Sequence, residues 1–197
     1  VFLPRDIFPP QYYCGSAANG GRELSAFGHL ILIDYKNLIG KVKYSAPVKF
    51  GQMVSDVENL APNKGLKYEK LVRLSSDKTV LCFKSEIVSG ALESFIESAN
   101  ARLKDSAGED SGIRVSVLNA AALKKTPSCD MEILKYLRMA DFVNSYYKNA
   151  SFIEQFDYET CRRYGLFYYY RSRHSAALEI FARYETIFRQ PPDFRFY

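Results

Sequence analysis

The fourteen residues from Cys161 to His174 hold four arginines, four tyrosines and no acid, the densest meeting of charge and aromatic surface in the chain. They open a longer periodic stretch. At 100° per residue, Leu166, Phe167, Tyr170, His174, Ala177, Leu178, Phe181, Tyr184 and Phe188 fall on one broad arc. Ser172, Ser175, Glu179, Ala182, Arg183 and Thr186 fall opposite. This spacing predicts one long amphipathic helix, whose apolar arc requires the rest of the chain to supply a surface to pack on. Asp157 or Thr160 caps its start, and Pro191-Pro192 stops it because a residue before proline is pushed out of the α region. Gly165 weakens the first turns by roughly 1 kcal/mol relative to alanine. Ser151 with Glu154 fits a capping box for a separate short helix before it.

On the wheel Arg162 and Arg173 flank one edge of the arc and Arg171 and Arg189 the other. Two readings follow. In one, the guanidinium groups cover a buried aromatic stripe or pair with nearby carboxylates. In the other, they bind phosphate oxygens through paired hydrogen bonds while tyrosine rings stack on unpaired bases. Beyond Lys148 every basic residue is an arginine, and aromatic residues accumulate from Phe142 to a Phe194-Arg195-Phe196-Tyr197 tail. Arginine and tyrosine are the side chains that anchor tight interfaces, so this end of the chain is expected to make contacts.

The earlier chain reads differently. Residues 1–25, with Pro4, Pro9, Pro10, Gly15, Gly20 and Gly21, are expected to form an extended arm. Asn19-Gly20-Gly21 is read as a turn, because no phosphate-loop pattern follows it. Leu30-Ile31-Leu32-Ile33 is a short apolar strand. From Lys41 to Phe50 the chain alternates, with Val42, Tyr44, Ala46, Val48 and Phe50 on one side and Lys41, Lys43 and Lys49 among those opposite. That is the pattern of a half-buried strand, with Pro47 placing it at an edge or bulge. Its lysine row either blunts edge pairing or meets an anion. Met53, Val54, Val57 and Leu60 have helical spacing, closed by Pro62 and Asn63-Lys64-Gly65. Strands at about 67–74 and 79–88 follow, joined by Ser75-Ser76-Asp77-Lys78, then a helix from Ser89 and a last strand through Ile113, Val115 and Val117.

Residues 41–118 thus run strand, helix, strand, strand, helix, strand. This element order resembles the ferredoxin-like sandwich, which RNA-recognition motifs also use. The resemblance is topological. No Gly-Phe-Gly pattern is present, and Phe83 is the one aromatic residue offered by the third strand. From Ala120 onward helices are expected, the first opened by Pro127-Ser128. The fold class is therefore α+β, with a mainly antiparallel sheet over 26–118 and a helical region over 119–197 packed on it as one compact unit.

A net charge of +5 permits an anionic partner without demanding one. Cys14, Cys82, Cys129 and Cys161 are too irregularly spaced, with only His29 and His174 to help, for a zinc site. No cofactor pattern is found. Free thiols and an intracellular setting are expected, and no apolar run approaches the roughly 18 residues that span a bilayer. For catalysis the candidates are His174, otherwise expected as a hydrogen-bonded core histidine, and Cys161 with a thiolate favoured by Arg162 and Arg163. They lie too far apart on one helix to form a dyad. The carboxylate pairs Glu109-Asp110 and Asp130/Glu132 are explained by solvation and helix capping.

The leading expectation is a non-enzymatic, oligomeric structural subunit of a ribonucleoprotein or viral coat type. It contacts RNA or another polyanion through Arg162, Arg163, Arg171 and Arg173, with Tyr168 and Tyr169 stacking and Lys41, Lys43 and Lys49 adding charge. The alternatives are a subunit that binds only protein through the same residues, and a small enzyme built on His174 or Cys161.

Overall fold

The computed structural model describes residues 24–35, 38, 47–108, 111–147 and 153–188. The N-terminal arm up to Glu23, Lys41, Lys43, Glu109-Asp110, Ser151, Arg189 and the aromatic tail lie outside them, as does Cys14. The elements in chain order are β1 (His29–Asp34), α1 (Pro47–Asn63), β2 (Lys70–Ser75), β3 (Lys78–Phe83), α2 (Ser89–Ala107), β4 (Arg114–Asn119), α3 (Asp130–Tyr147), β5 (Ile153–Gln155), α4 (Tyr158–Tyr170) and α5 (His174–Ile187). A 3-10 turn at Ala120–Ala122 follows β4, where the Asn119 side chain accepts from the Ala122 N–H. The protein is a mixed α+β fold.

The strands form one mixed sheet in the order β2-β3-β1-β4-β5. β1 runs antiparallel to both β3 and β4, β2 and β3 form an antiparallel hairpin, and β5 joins β4 in parallel. Leu30–Ile33 of β1 is apolar without interruption because both faces of the strand are covered. Ile31 and Ile33 join Leu81, Phe83 and Val115 in a core with Phe50, Met53 and Val57 of α1 and Phe95, Ile96 and Leu103 of α2. Leu30 and Leu32 face the other way, with Val80, Cys82 and Leu118, into a second core closed by Ile133, Leu137 and Val143 of α3, Tyr164 and Tyr168 of α4, and Ile180 of α5.

Four expectations are corrected. The alternating strand at Lys41 to Phe50 gives way to helix from Pro47. Proline is suited to a first helical turn, and the 3-4 spacing of Phe50, Met53, Val54 and Val57 prevails over the period of two. Val48, placed on the buried side of that strand, is 88% exposed. The third strand ends at Phe83, well short of Val88. Glu154, read as half of a capping box, instead sits in β5, so the region after 119 also contributes to the sheet.

The long amphipathic helix is the fourth. The chain reverses at Arg171–Arg173, where Ser172 takes φ 58°, and α4 and α5 fold back on each other as a hairpin. Gly165 makes the close approach possible, since a Cβ there would lie 2.5 Å from Cε1 of Phe181. In a continuous helix those two residues would be about 24 Å apart along the axis. Asp157 does cap α4, accepting from the Thr160 N–H at 2.8 Å. Pro62 lies inside the last turn of α1, and Gly65 at φ 85° lets the Leu66 N–H return to the Ala61 carbonyl at 3.0 Å.

Candidate nucleic-acid interface

The first turn of α4 decides the fate of two arginines. Glu159 accepts from Arg162 Nε and Nη2, both at 2.7 Å, and from Arg163 Nε at 3.1 Å. Arg163 Nη1 also lies 3.7 Å from Glu154, a buried carboxylate that accepts from the Thr160 hydroxyl at 2.7 Å. The hydrogen bond from Arg162 holds the Glu159 carboxyl below its ordinary range, and Glu159 in turn raises the Arg162 pKa. Arg162, Arg163 and Glu159 are partly exposed, so each pair made by Glu159 contributes on the order of 0–1 kcal/mol to stability. Their effect on a partner is larger: the positive charge of Arg162 and Arg163 is met inside the molecule.

The last turn is different. Tyr168 is 2% exposed, its hydroxyl 3.3 Å from that of Tyr164, and no face of its ring is open to a base. Its carbonyl accepts the N–H groups of Arg171 at 3.1 Å and Arg173 at 3.0 Å, which fastens the turn. Tyr169 and Tyr170 project from it, 51% and 76% exposed. Arg171 is exposed and lies over the Phe167 ring, 4.4 Å from its centroid, and Arg173 is exposed beside it in sequence. Among the described residues neither is seen in an ion pair with a carboxylate. His174 starts α5 with its ring edge-on to Tyr169, centroids 5.1 Å apart, so it is a surface residue and not the core histidine expected.

The aromatic surface continues onto α3. Tyr146 meets Phe167 edge-on at 4.8 Å and Tyr147 at 5.1 Å, and Arg163 lies 5.8 Å from the Tyr147 ring centre. Burial raises the Tyr147 phenol pKa, the phenols of Tyr146 and Tyr170 add to it, and Arg163 and Arg162 oppose it. That electrostatic contact joins the end of α3 to the end of α4. Tyr146, Tyr147 and Tyr170 were not among the residues assigned to the interface from sequence. Their signal was positional, since each sits where a helix ends and its side chain leaves the packed layer.

The other candidates are not gathered here. Lys49 stands exposed in the first turn of α1, donating to the Ser106 carbonyl at 3.1 Å, and α1 covers the opposite face of the sheet. Cys161 is buried with Sγ 3.7 Å from the sulfur of Met139, while Arg162 and Arg163 turn to Glu159, so the thiolate-favouring arrangement does not form. A cavity of about 230 Å³ lies between the start of α2 and the β1, β4 and β5 ends, lined by His29, Glu86, Glu93 and Asn119 among others. It contains neither His174 nor Cys161. Phe83 is buried under α1 and α2. Asp130 accepts from the N–H groups of Leu24 and Ser25 at 2.8 and 3.1 Å, and Glu132 from that of Ser128 at 2.9 Å.

Among the described residues Cys82, Cys129 and Cys161 are free thiols, no cluster of His, Cys, Asp or Glu suits a metal ion, and no helix is long and apolar enough to cross a membrane. Comparison with protein-family models, with curated proteins and with solved structures finds no match. The reading of this surface therefore rests on its own geometry.

Proposed function

We propose that the chain is a non-enzymatic subunit of a larger assembly that contacts RNA or another polyanion through the α4–α5 turn. The observation that carries this reading is the pairing, at one exposed turn, of Arg171 and Arg173 with the open rings of Tyr169 and Tyr170. Guanidinium groups without carboxylate partners bind phosphate oxygens, and exposed tyrosines supply stacking surface. The assembly part of the proposal draws on the proline-rich arm and the aromatic tail in the sequence.

We further read the β1-α1-β2-β3-α2-β4 order, with β1 between β3 and β4, as a ferredoxin-like arrangement extended by β5. It begins at Leu30–Ile33 rather than at Lys41. The sheet face that RNA-recognition modules leave open is covered here by α3, α4 and α5. RNA contact is accordingly assigned to the helical hairpin and not to the sheet.

A specific observation also favours the protein-only reading, since Tyr146, Tyr147 and Tyr170 are exposed and Tyr146 packs against both Phe167 and Tyr147, the aromatic enrichment of an interface core. Native mass together with the ratio of absorbance at 260 and 280 nm, before and after a high-salt wash, separates the two. The proposal expects an assembly that carries 260 nm absorbance at low salt and loses it on washing. An assembly free of nucleic acid and indifferent to salt would establish the protein-only reading instead.

A further inference from the structure

Resting on the polyanion reading above, we infer that the partner is single-stranded nucleic acid, held by two phosphate contacts at Arg171 and Arg173 and by bases stacked on Tyr169 and Tyr170. The count of two comes from the ion pairs. Glu159 and Glu154 occupy Arg162 and Arg163, so among the described arginines of the 161–174 stretch Arg171 and Arg173 are left to meet phosphate. A duplex bound without groove insertion relies on many phosphate contacts, and neither a helix end nor a tight turn with two cations offers them.

The rings point the same way. Tyr169 and Tyr170 are consecutive, so they leave the helix about 100° apart. Their centroids are 5.7 Å apart and their planes are inclined by 73°, so each presents a face in its own direction. A base within a duplex is already stacked on both sides. A base of a single strand can be splayed onto a tyrosine face, and successive bases can use successive rings. Arg171, exposed and with its guanidinium carbon 4.4 Å from the Phe167 ring centre, carries the planar fork that forms paired bonds to phosphate.

The test is fluorescence anisotropy of the full chain with three labelled polyanionic probes. They are a single-stranded oligouridylate of about 12 nucleotides, a duplex RNA of the same length, and heparin. The single strand is expected to bind most tightly, with a slope of log affinity against log salt near −1.4, about −0.7 for each of two phosphates. Arg171→Ala and Arg173→Ala each flatten that slope by about 0.7, and Arg162→Ala leaves it unchanged. Tyr170→Leu weakens the single strand by about 5- to 150-fold and leaves heparin unaffected. Circular dichroism of each variant verifies the fold. Duplex or heparin bound as tightly as the single strand, with Tyr170→Leu neutral, would overturn this inference and leave the polyanion reading standing. A slope near −2.8 would overturn the count of two contacts. Failure of all three probes to bind at about 50 mM salt would overturn the polyanion reading itself.

Discussion

Replacing Lys78 by methionine tests the most demanding electrostatic feature of the fold. Lys78 Nζ bonds Asp141 of α3 and lies 3.3 Å from Asp34 of β1, and the three side chains are only 17%, 12% and 2% exposed. Burial lowers the lysine pKa, but Asp141 and Asp34 outweigh it and the net shift is upward from 10.5. The stabilising contribution is thus fully present below pH 10.5 and is lost as the pH rises through the higher folded value. Methionine fills most of the volume and removes the ammonium that lies between the two carboxylates. Removing one partner of a buried pair costs about 3–5 kcal/mol, and the partial exposure of Asp141 favours the lower end.

The loss should depend on pH. Asp141 and Asp34 hold the Lys78 pKa above 10.5, so the advantage of the wild type over the variant is full at neutral pH and fades as the pH rises through the folded value. Urea unfolding of both proteins at pH 7 and pH 11 measures it. The expected loss is about 3 kcal/mol at neutral pH, with a smaller loss at the higher pH. A loss under about 1 kcal/mol, or one that does not change with pH, would refute the claim that Lys78 neutralises two buried carboxylates.

The hairpin predicts that Gly165→Ala destabilises although alanine is the better helix former. Overpacking against Phe181 costs about 1–3 kcal/mol against a propensity gain near 1, and adding Phe181→Leu should restore the melting temperature. Thiol labelling of the native protein at pH 8 should modify Cys129, which is exposed, and spare Cys161 and Cys82. Cys161 is buried and the Cys82 pKa is pushed by burial up to about 12; urea should release both, and labelling of either in the native state would contradict the second core. Glu159→Gln should free Arg162 from its carboxylate and steepen the salt dependence of RNA binding by about 0.7, whereas an unchanged slope would separate these arginines from the bound strand.

Where one local pattern stood alone, the sequence was sufficient. The helix from Ser89 and the Ser75–Lys78 turn with its Ser75 hydroxyl bonded to Asp77 were visible in residue spacing, and Asp157, one of the two caps the sequence offers, is the one used. Where two periods overlapped, it was not. Val42 to Phe50 alternates as a strand does, and only the continuation through Met53 and Val57 reveals that its last part is helix. The wheel from Leu166 to Phe188 joins two helices into one because both bury residues in the same core, and nothing in a wheel reports a chain reversal. Leu178, on that arc, is 68% exposed, as expected when the arc no longer has one direction. The parallel pairing of Ile153–Gln155 depends on β4 being alongside, which no local pattern encodes.

For the interface, residue type was legible and availability was not. All four arginines of the 161–174 stretch look equivalent on paper, yet Glu159 stands three and four residues before Arg162 and Arg163, the separation at which helical side chains meet. Between Glu159 and Glu179 there is no further acid, so Arg171 and Arg173 have none within a helical turn. The tyrosines divide by the same geometry. Tyr164 and Tyr168 are four apart on the inner face and meet each other hydroxyl to hydroxyl, whereas Tyr169 and Tyr170 lie one and two positions beyond that face at the helix end. The turn at Ser172 then prevents α5 from covering them. A chain reversal that the helical wheel does not register is thus what leaves part of a run of arginine and tyrosine exposed at one turn.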